Sequence, residues 1–317
     1  KRQKTQKTHK KQKVTKKTTN KTTNKTNKTN NKTKVNLDSC NPANNSKATC
    51  FDFESLVKIA KGWNSDHHKK EDRISIPAVN NSTNKKNLWN NIERKMREKC
   101  DSEWCWIEQE FVNKLDRKEL LSDFRPKMPK SWKKNKYEWL NTTDIESVMG
   151  QYEEKYNDFK FIGPVPIDFD YEYSAGKCIV DELCNLSIKK LLKDKINKIG
   201  IIYNLDPHDK PGSHWVAMYL DLKKKNVYYF DSYGTAPPNE VDVLIKRIQE
   251  QGTELGMDIK YAYNQTRHQY QNSECGVYSM YFIIQLLEGK KTFNSINSNR
   301  IKDEFVNSKR KSYYLSD

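Results

Sequence analysis

The chain has 317 residues, of which 35% are hydrophobic, and a formal net charge of +17. That length suits one large domain or two modest ones. No apolar run approaches the roughly 18–20 residues of a membrane-spanning helix, and no stretch is typical of a secretory signal, so we predict neither.

The positive charge is concentrated in residues 1–37. This segment holds 14 of the 58 Lys and Arg residues and no Asp or Glu, which leaves 44 basic against 41 acidic residues elsewhere. It is almost entirely Lys, Thr, Asn and Gln, too polar to bury a core, so we predict a disordered tail. Two interpretations stay open: salt-sensitive binding of nucleic acid or another polyanion, and a solvated low-complexity segment without a partner.

Residues 38–130 are predicted to form a small helical domain. Apolar side chains recur there at the spacing of one helix face in two segments, at Leu56, Ile59 and Trp63 and again at Leu88, Ile92 and Met96. Pro126 and Pro129 then discourage helix on either side, so we place a domain boundary at residue 130.

Residues 131–317 mix strands and helices. In the first half we predict a helix starting near Ile145, an extended stretch at 159–169, a helix at 178–192 and a strand at 199–205. A hairpin of 214–222 with 227–231 follows, and then a helix from 237 to about 255 and a strand at 259–263. The chain ends with a helix after Cys275 and an amphipathic segment at 301–314. At least one strand pair is a hairpin, which favours an α+β fold over a doubly wound sheet.

The chain has seven cysteines at irregular spacing. An odd number without a secretory signal argues against a disulfide framework, so we expect a reducing, intracellular compartment. The spacings of Cys100 with Cys105 and of Cys178 with Cys184 do not fit a zinc site, so no metal is predicted.

Cys275 lies where a polar, turn-prone run meets an apolar one. Residues 267–274 are polar, whereas residues 277–287 are mostly apolar, which predicts Cys275 in the first turn of a buried helix. Unpaired N–H groups and the helix dipole would favour a thiolate there. A nucleophilic cysteine also requires a base, a group that orients the base, and an oxyanion hole.

Two histidines compete as the base. His214 opens a predicted strand, where sheet packing would hold it rigidly, whereas His268 lies in the same polar loop as Cys275. We therefore prefer His214.

Asp231, at the end of the returning strand, is the candidate that orients His214. Direct pairing of these two residues would centre the turn between residues 222 and 223, but the polar tip comes slightly later, so we predict a bulge or a looser turn. Asp221 is the alternative, but it lies at the tip of the hairpin. For the oxyanion hole, the Cys275 N–H and one amide of Gln269, Gln271 or Asn272 are candidates, which the residues alone do not rank.

These residues together carry a family resemblance. His214-Trp215, the run from Tyr229 to Gly234, Gln269 and the Cys275-Gly276-Val277-Tyr278 run resemble the His…Asp…Gln…Cys signature of ubiquitin-like-protein (SUMO) proteases and of the adenovirus maturation protease. The 17-residue gap from His to Asp and the Gln six residues before Cys match the cellular SUMO proteases. The preceding helical region and the compact His-to-Cys spacing are more similar to the polyprotein-processing proteases of African swine fever virus and other large DNA viruses.

The resemblance implies a papain-like-superfamily core, a mixed sheet flanked by helices, with a helical N-terminal domain before it. It also implies six roles: Cys275 as nucleophile, His214 as base, Asp231 as its orienting partner, Gln269 in the oxyanion hole, Trp215 over a narrow substrate channel, and Trp139 in a substrate-binding segment. Such a channel favours glycine, so cleavage after Gly-Gly or a similar small pair is expected.

Three functional hypotheses follow. The first is a cysteine endopeptidase that matures viral structural proteins or polyproteins in the host cytoplasm, viral factory and virion. The second is a deconjugating protease for SUMO or ubiquitin, and the third is a nucleic-acid-binding protein with an inactive protease fold. The expected partner is a protein substrate, with nucleic acid bound through residues 1–37 as a further hypothesis. No cofactor is predicted, although adenovirus-type relatives suggest DNA as an activator.

Overall fold

A computed structural model describes residues 33–44 and 48–315, apart from the side chains of residues 114 and 115. These described residues all belong to one compact unit. Its helices are α1 Phe53–Asp66, α2 Ser82–Met96, α3 Glu103–Ile107, α4 Lys114–Leu120, α5 Thr142–Lys155, α6 Asp181–Cys184, α7 Ile188–Lys193, α8 Asn239–Glu254, α9 Cys275–Leu287, α10 Phe293–Asn297, α11 Asp303–Ser308 and α12 Arg310–Tyr313. Its strands are β1 Phe159–Pro166, β2 Glu172–Ser174, β3 Lys177–Cys178, β4 Lys198–Asn204, β5 Trp215–Asp221, β6 Asn226–Phe230 and β7 Lys260–Tyr263.

The N-terminal helices α1 to α4 share an apolar core that is separate from the two cores around the sheet. Asp52 caps α1 by accepting the Ser55 N–H at 2.7 Å, and Asn81 caps α2 by accepting the Asn84 N–H at 2.8 Å. The two apolar helix faces predicted from the sequence are buried in this core, as expected. The domain boundary at residue 130 stays a prediction.

A five-stranded mixed sheet forms the centre of the second region. Its strand order is β1-β4-β5-β6-β7, with parallel pairs at the two edges and antiparallel pairs between them. A separate two-stranded sheet pairs β2 with β3. The predicted α+β class and the mixed sheet flanked by helices are thus confirmed.

Helices cover both faces of the five-stranded sheet. Helices α5 and α9 pack on one face, and α7 and α8 pack on the other. Every residue of β5 is buried as a result, which is typical of a central strand covered on both sides. Helix α9 is buried along nearly its whole length, which explains why residues 277–287 are apolar all round rather than on one face.

The predicted continuous helix at 178–192 is wrong. Residues 177–178 form β3, and two short helices, α6 and α7, follow. The Ser187 side chain accepts the N–H of Lys190 at 3.3 Å, so it starts a second helix where the sequence pattern had suggested one continuous one.

The expectation of no disulfide framework is also wrong. Disulfides join Cys40 to Cys50, Cys100 to Cys105 and Cys178 to Cys184, and only Cys275 is free. Each pair is separated by ten residues or fewer in sequence, and the local fold brings its Cα atoms within 6.3 Å. The odd count reflects three local pairs plus one thiol, so it no longer supports a reducing compartment.

Among the residues described here, no helix combines the length and apolar character that crossing a membrane requires. The predictions for the tail at residues 1–32 lie outside the described residues. At residues 33–37 the prediction of disorder is wrong, because Thr33 is buried and the Lys34 N–H donates to the Asp101 carbonyl at 2.8 Å.

Candidate active site

Cys275 is the first residue of α9 and is 2% exposed. Residues 264–274, which we call the nucleophile loop, connect β7 to this helix. No side chain caps the N-terminus of α9, so N–H groups of its first turn stay available around the thiol. The predicted helix position of Cys275 is therefore correct.

His214 and Asp231 lie next to each other beside Cys275. His214 Nε2 is 2.7 Å from Asp231 Oδ1, and both residues are buried. Asp231 engages Nε2, which leaves the other ring nitrogen, Nδ1, for Cys275, and the thiol lies near enough to His214 to raise the pKa of the imidazole. The three predicted residues are thus assembled in the order Cys275, His214, Asp231.

The hairpin that carries this pair has a looser turn than direct pairing of His214 with Asp231 would require. Asp221 pairs with Asn226, which leaves a four-residue turn, and the register continues regularly to Ala217 opposite Phe230. Asp231 follows the end of β6 and begins a turn closed by a hydrogen bond from Gly234 N to its carbonyl. No bulge occurs in this strand pair, so the looser turn, not the bulge, is the correct alternative. Asp221 stays at the tip, where it accepts the N–H of Lys224.

The surroundings of His214 favour its charged form. Burial lowers the pKa of the imidazole, but hydrogen bonds to Asp231 and Cys275 and the negative charges of both outweigh burial and raise it from 6.5 to about 9. His214 therefore carries a proton at neutral pH, which suits a residue that donates a proton to a leaving group.

His268, the competing base, is in the opposite environment. It is fully buried, its Nδ1 accepts the backbone N–H of Ile301 at 3.0 Å, and its ring stacks on Phe230. Burial and the nearby charge of Arg300 lower the pKa of His268 to about 4. A neutral ring with its acceptor nitrogen engaged supports the loop but is poorly suited to act as the base.

Asn264 and Tyr233 support the pair and were not predicted from the sequence. Asn264 is fully buried, and its side chain exchanges two hydrogen bonds of 2.9 Å with the backbone N–H and carbonyl of Asp231. Tyr233 donates its backbone N–H to the Asp231 carboxylate at 2.9 Å and stacks its ring on His214 at 4.6 Å. The position of Tyr233 could have been predicted from the hairpin. Ala217 pairs with Phe230, and the same antiparallel register continued beyond β6 places Tyr233 opposite His214.

Gln269 is buried in the nucleophile loop, where its side-chain amide makes two hydrogen bonds. Its Oε1 accepts from the Ser232 hydroxyl at 2.6 Å, and its Nε2 donates to the carbonyl of Gln271 at 2.9 Å. An amide nitrogen has two hydrogens, so one donor of Gln269 remains after these contacts. The other candidates, Gln271 and Asn272, lie in the same loop and are exposed.

A groove of about 520 Å³ is lined by both predicted substrate-binding tryptophans. Trp139 is 45% exposed, whereas Trp215 is buried and donates its indole N–H to the carbonyl of Leu140 at 2.9 Å. Trp215 also packs against Gly276, the residue after the nucleophile. The groove wall is therefore continuous with the site of Cys275.

Comparisons with known proteins show which proteases the chain resembles. Residues 184–317 match the family described as the Ulp1 protease family, C-terminal catalytic domain. A protein of Acanthamoeba polyphaga mimivirus that carries a provisional thiol protease name is 35% identical over 293 residues, which are 88% of this chain and 93% of that protein. The cysteine protease of African swine fever virus is 28% identical over 235 residues, which are 69% of this chain and 84% of that protein.

The fold also matches a solved structure. The crystal structure of a protease of African swine fever virus superposes with a TM-score of 0.62 at 21% identity and covers 88% of this chain and 96% of its own. At that identity the match speaks for the fold alone.

Proposed function

Because the chain belongs to the Ulp1 family of cysteine proteases, we propose that it is an endopeptidase that cleaves after glycine-containing sites in viral structural proteins or polyproteins. The observation that carries this proposal is the contact of His214 with both Asp231 and the free thiol of Cys275. Peptide hydrolysis needs a nucleophile, a proton donor and an orienting acid at these positions.

In the acylation step, the Cys275 thiolate attacks the scissile carbonyl carbon and a C–S bond forms. The carbonyl electron pair moves onto oxygen, where the Cys275 N–H and the remaining Nε2 hydrogen of Gln269 act as donors. When the oxyanion collapses, the C–N bond breaks and the leaving amine takes the proton of the His214 imidazolium. Asp231 holds the ring in position throughout.

In the deacylation step, neutral His214 takes a proton from water as the water oxygen attacks the thioester carbon. The C–S bond then breaks, which releases the carboxylic product and restores the thiolate and imidazolium. No metal or redox partner is required for these steps.

Glycine specificity is proposed from the wall of the groove. The hydrogen bond from Trp215 to Leu140 fixes an indole directly beside Gly276, so the approach to Cys275 is bordered by a rigid aromatic ring. A residue without a side chain fits such a constriction, whereas larger residues require the ring to move.

A second candidate function is removal of a SUMO-like modifier. Some African swine fever virus relatives carry the name SUMO-1 cysteine protease, and the matched family is that of Ulp1. The inactive-fold hypothesis is weaker, since the nucleophile, base and acid are all retained.

The test is cleavage by the purified full chain. We expect hydrolysis of a Gly-Gly-Xaa peptide, labelling of Cys275 by a glycine-ending vinyl sulfone, and loss of both in Cys275→Ala. Ubiquitin-like conjugates offered in parallel separate the two candidates, because faster release of a modifier than of any peptide would favour deconjugation. Absence of both cleavage and labelling at neutral pH would refute the proposal.

We further propose a protein substrate as the partner, nucleic acid as a second partner of residues 1–37, and action in the host cytoplasm, viral factory and virion. Deleting residues 1–32, which precede the described residues, should leave peptide hydrolysis intact and weaken salt-sensitive DNA binding, measured by fluorescence anisotropy. Hydrolysis with and without added DNA tests DNA as an activator.

A further inference from the structure

The end of the chain holds the nucleophile loop with side chains rather than with strand pairing. Four contacts join side chains of residues 300–310 to this loop: Arg300 Nε donates to the His268 carbonyl at 3.1 Å, the Asp303 carboxylate accepts the Tyr270 N–H at 3.2 Å, Asn307 Nδ2 donates to the Glu274 carboxylate at 2.8 Å, and Arg310 Nη2 donates to the Ser273 carbonyl at 3.2 Å. These contacts lie at both ends of residues 268–274, the stretch that contains Gln269 and directly precedes Cys275.

Three of these side chains lie on one face of the C-terminal helices. Asp303, Asn307 and Arg310 are spaced by four and three residues, and Lys309, which joins α11 to α12, has helical dihedral angles. We call these three residues the C-terminal brace. Residues spaced by four and three positions lie on the same face of a helix, and here that face is turned towards the nucleophile loop.

Within the brace, Arg310 contacts the backbone of the nucleophile loop two residues before Cys275. Arg310 is 3% exposed, and besides its contact with Ser273 it donates Nε to the side-chain oxygen Oδ1 of Asn307 at 3.2 Å. Its guanidinium also lies over the Trp132 ring at 4.5 Å. Arg310 therefore links Ser273 directly, and Glu274 through Asn307, which are the two residues immediately before Cys275.

Keeping this arginine buried has an energetic cost. Burial lowers the pKa of Arg310, while the charges of Tyr314, Glu274, Asp144 and Cys275 oppose that change. A buried arginine contributes less to stability than an apolar group of similar size in many proteins, so a site that retains one is explained better by orientation than by stability.

We propose that Arg310, supported by Asn307, is a positioning residue for Cys275. This inference rests on the proposed function, because it assigns Arg310 a role in the step that Cys275 carries out. Arg310 does not touch the reacting atoms. It fixes the peptide between Ser273 and Glu274, and thereby the direction in which the first turn of α9 presents the thiol to His214.

This role should change kcat and not KM. The groove is lined by residues 139–142, 164–166, 179–180, 204, 206–208, 210–212 and 215, none of which belongs to the brace or to the nucleophile loop. Loss of the brace therefore leaves substrate binding intact, whereas a misplacement of the nucleophile by about 1 Å can cost roughly 10²-fold in rate.

The experiment compares four variants of the full chain: Arg310→Met, Arg310→Lys, Asn307→Ala and, as control, Lys311→Ala, whose side chain is exposed on α12. For each, kcat and KM are measured on a Gly-Gly-Xaa peptide, together with the rate of Cys275 alkylation by iodoacetamide and the melting temperature. We expect Arg310→Met to lower kcat by roughly 10–100-fold with KM within about twofold, and to slow alkylation. Arg310→Lys should recover part of the loss, and Asn307→Ala should show a smaller loss of the same kind.

A melting temperature that falls while kcat, KM and alkylation of the folded protein stay at wild-type values would show that Arg310 is merely structural. If Arg310→Met does not fold, kcat, KM and the alkylation rate of Arg310→Lys and Asn307→Ala are compared with those of the wild type instead. If the wild type cleaves no peptide, the proposed function fails on its own, and the alkylation rates still decide the role of Arg310.

Discussion

The two histidines of the second region are held in contrasting ways. His214 directly precedes the central strand β5 and reaches Asp231 just beyond β6, so paired strands hold both residues. His268 lies in the nucleophile loop, which is held by side chains from residues 300–310. The structure raises the pKa of the first to about 9 and lowers that of the second to about 4.

This contrast shows that exposure alone does not decide which histidine is charged. Both rings are buried, but only His214 has a carboxylate and a thiol as partners, whereas His268 accepts a backbone N–H and lies near Arg300. The His214 ring beside the sheet is charged at neutral pH, whereas the His268 ring in the loop is neutral and forms part of the loop's scaffold.

Replacing His214 by Ala should have the largest effect. Loss of the general base and of the proton donor should lower kcat by about 10²–10⁴-fold, measured on a Gly-Gly-Xaa peptide. His68→Ala, an exposed histidine of the N-terminal region, is the control and should stay within twofold of wild type. If the His214 variant keeps its activity, the assignment of the base is wrong.

Asp231→Asn should lower activity less and change its pH dependence. Without the carboxylate, the pKa of His214 falls from about 9, so the alkaline limb of the kcat profile should move to lower pH. The measurement is kcat between pH 6 and 10 for both proteins. If the alkaline limb lies at the same pH in both proteins, Asp231 does not raise the pKa of His214, and the prediction is wrong.

Asn264→Ala tests whether the hydrogen bonds from the Asn264 side chain to the Asp231 backbone stabilise the protein. Removing the amide leaves the backbone N–H and carbonyl of Asp231 buried without these partners, which should lower the free energy of unfolding by roughly 1–3 kcal/mol. Urea denaturation checks this, with the exposed Asn239→Ala at the start of α8 as control. Equal stability of the two variants would contradict the contact.

The smallest expected effects are changes of stability with pH. A raised folded-state pKa means that His214 stabilises the protein fully below pH 6.5, and that this contribution is lost as pH rises through about 9. The stability difference between wild type and His214→Gln should therefore shrink over that window.

His268 should behave in the opposite way. Its folded-state pKa is lowered to about 4, so the unfolded chain takes up a proton first, and stability is lost as pH falls from 6.5 towards 4. The difference between wild type and His268→Gln should shrink on that acidic side. Urea midpoints at several pH values measure both differences, and equal slopes for the two variants would contradict the contrast.

The sequence was sufficient for the strand-held half of the site. The hairpin of β5 and β6 follows from apolar runs on either side of a polar tip, and α9 follows from the apolar run after Cys275. Alternation and helix starts are local signals, so His214, Asp231 and Cys275 could be located before the structure was known.

The loop-held half could not be predicted in the same way. Asn264 reaches a residue 33 positions earlier, and Asp303 and Arg310 reach the loop from more than 30 positions later. Such contacts leave no periodic pattern in a single sequence. The disulfides were missed for a related reason, because the cysteine count was interpreted without knowing which pairs the fold brings together.

The central claim, that Cys275 is a nucleophile activated by His214, is tested most directly by covalent labelling. Wild type, His214→Ala and Cys275→Ala are incubated at neutral pH with a glycine-ending vinyl sulfone, and the modified residue is identified by mass spectrometry. We predict one adduct on Cys275 in the wild type, much slower labelling in His214→Ala and none in Cys275→Ala. Equal labelling rates in wild type and His214→Ala, or an adduct on another residue, would contradict it.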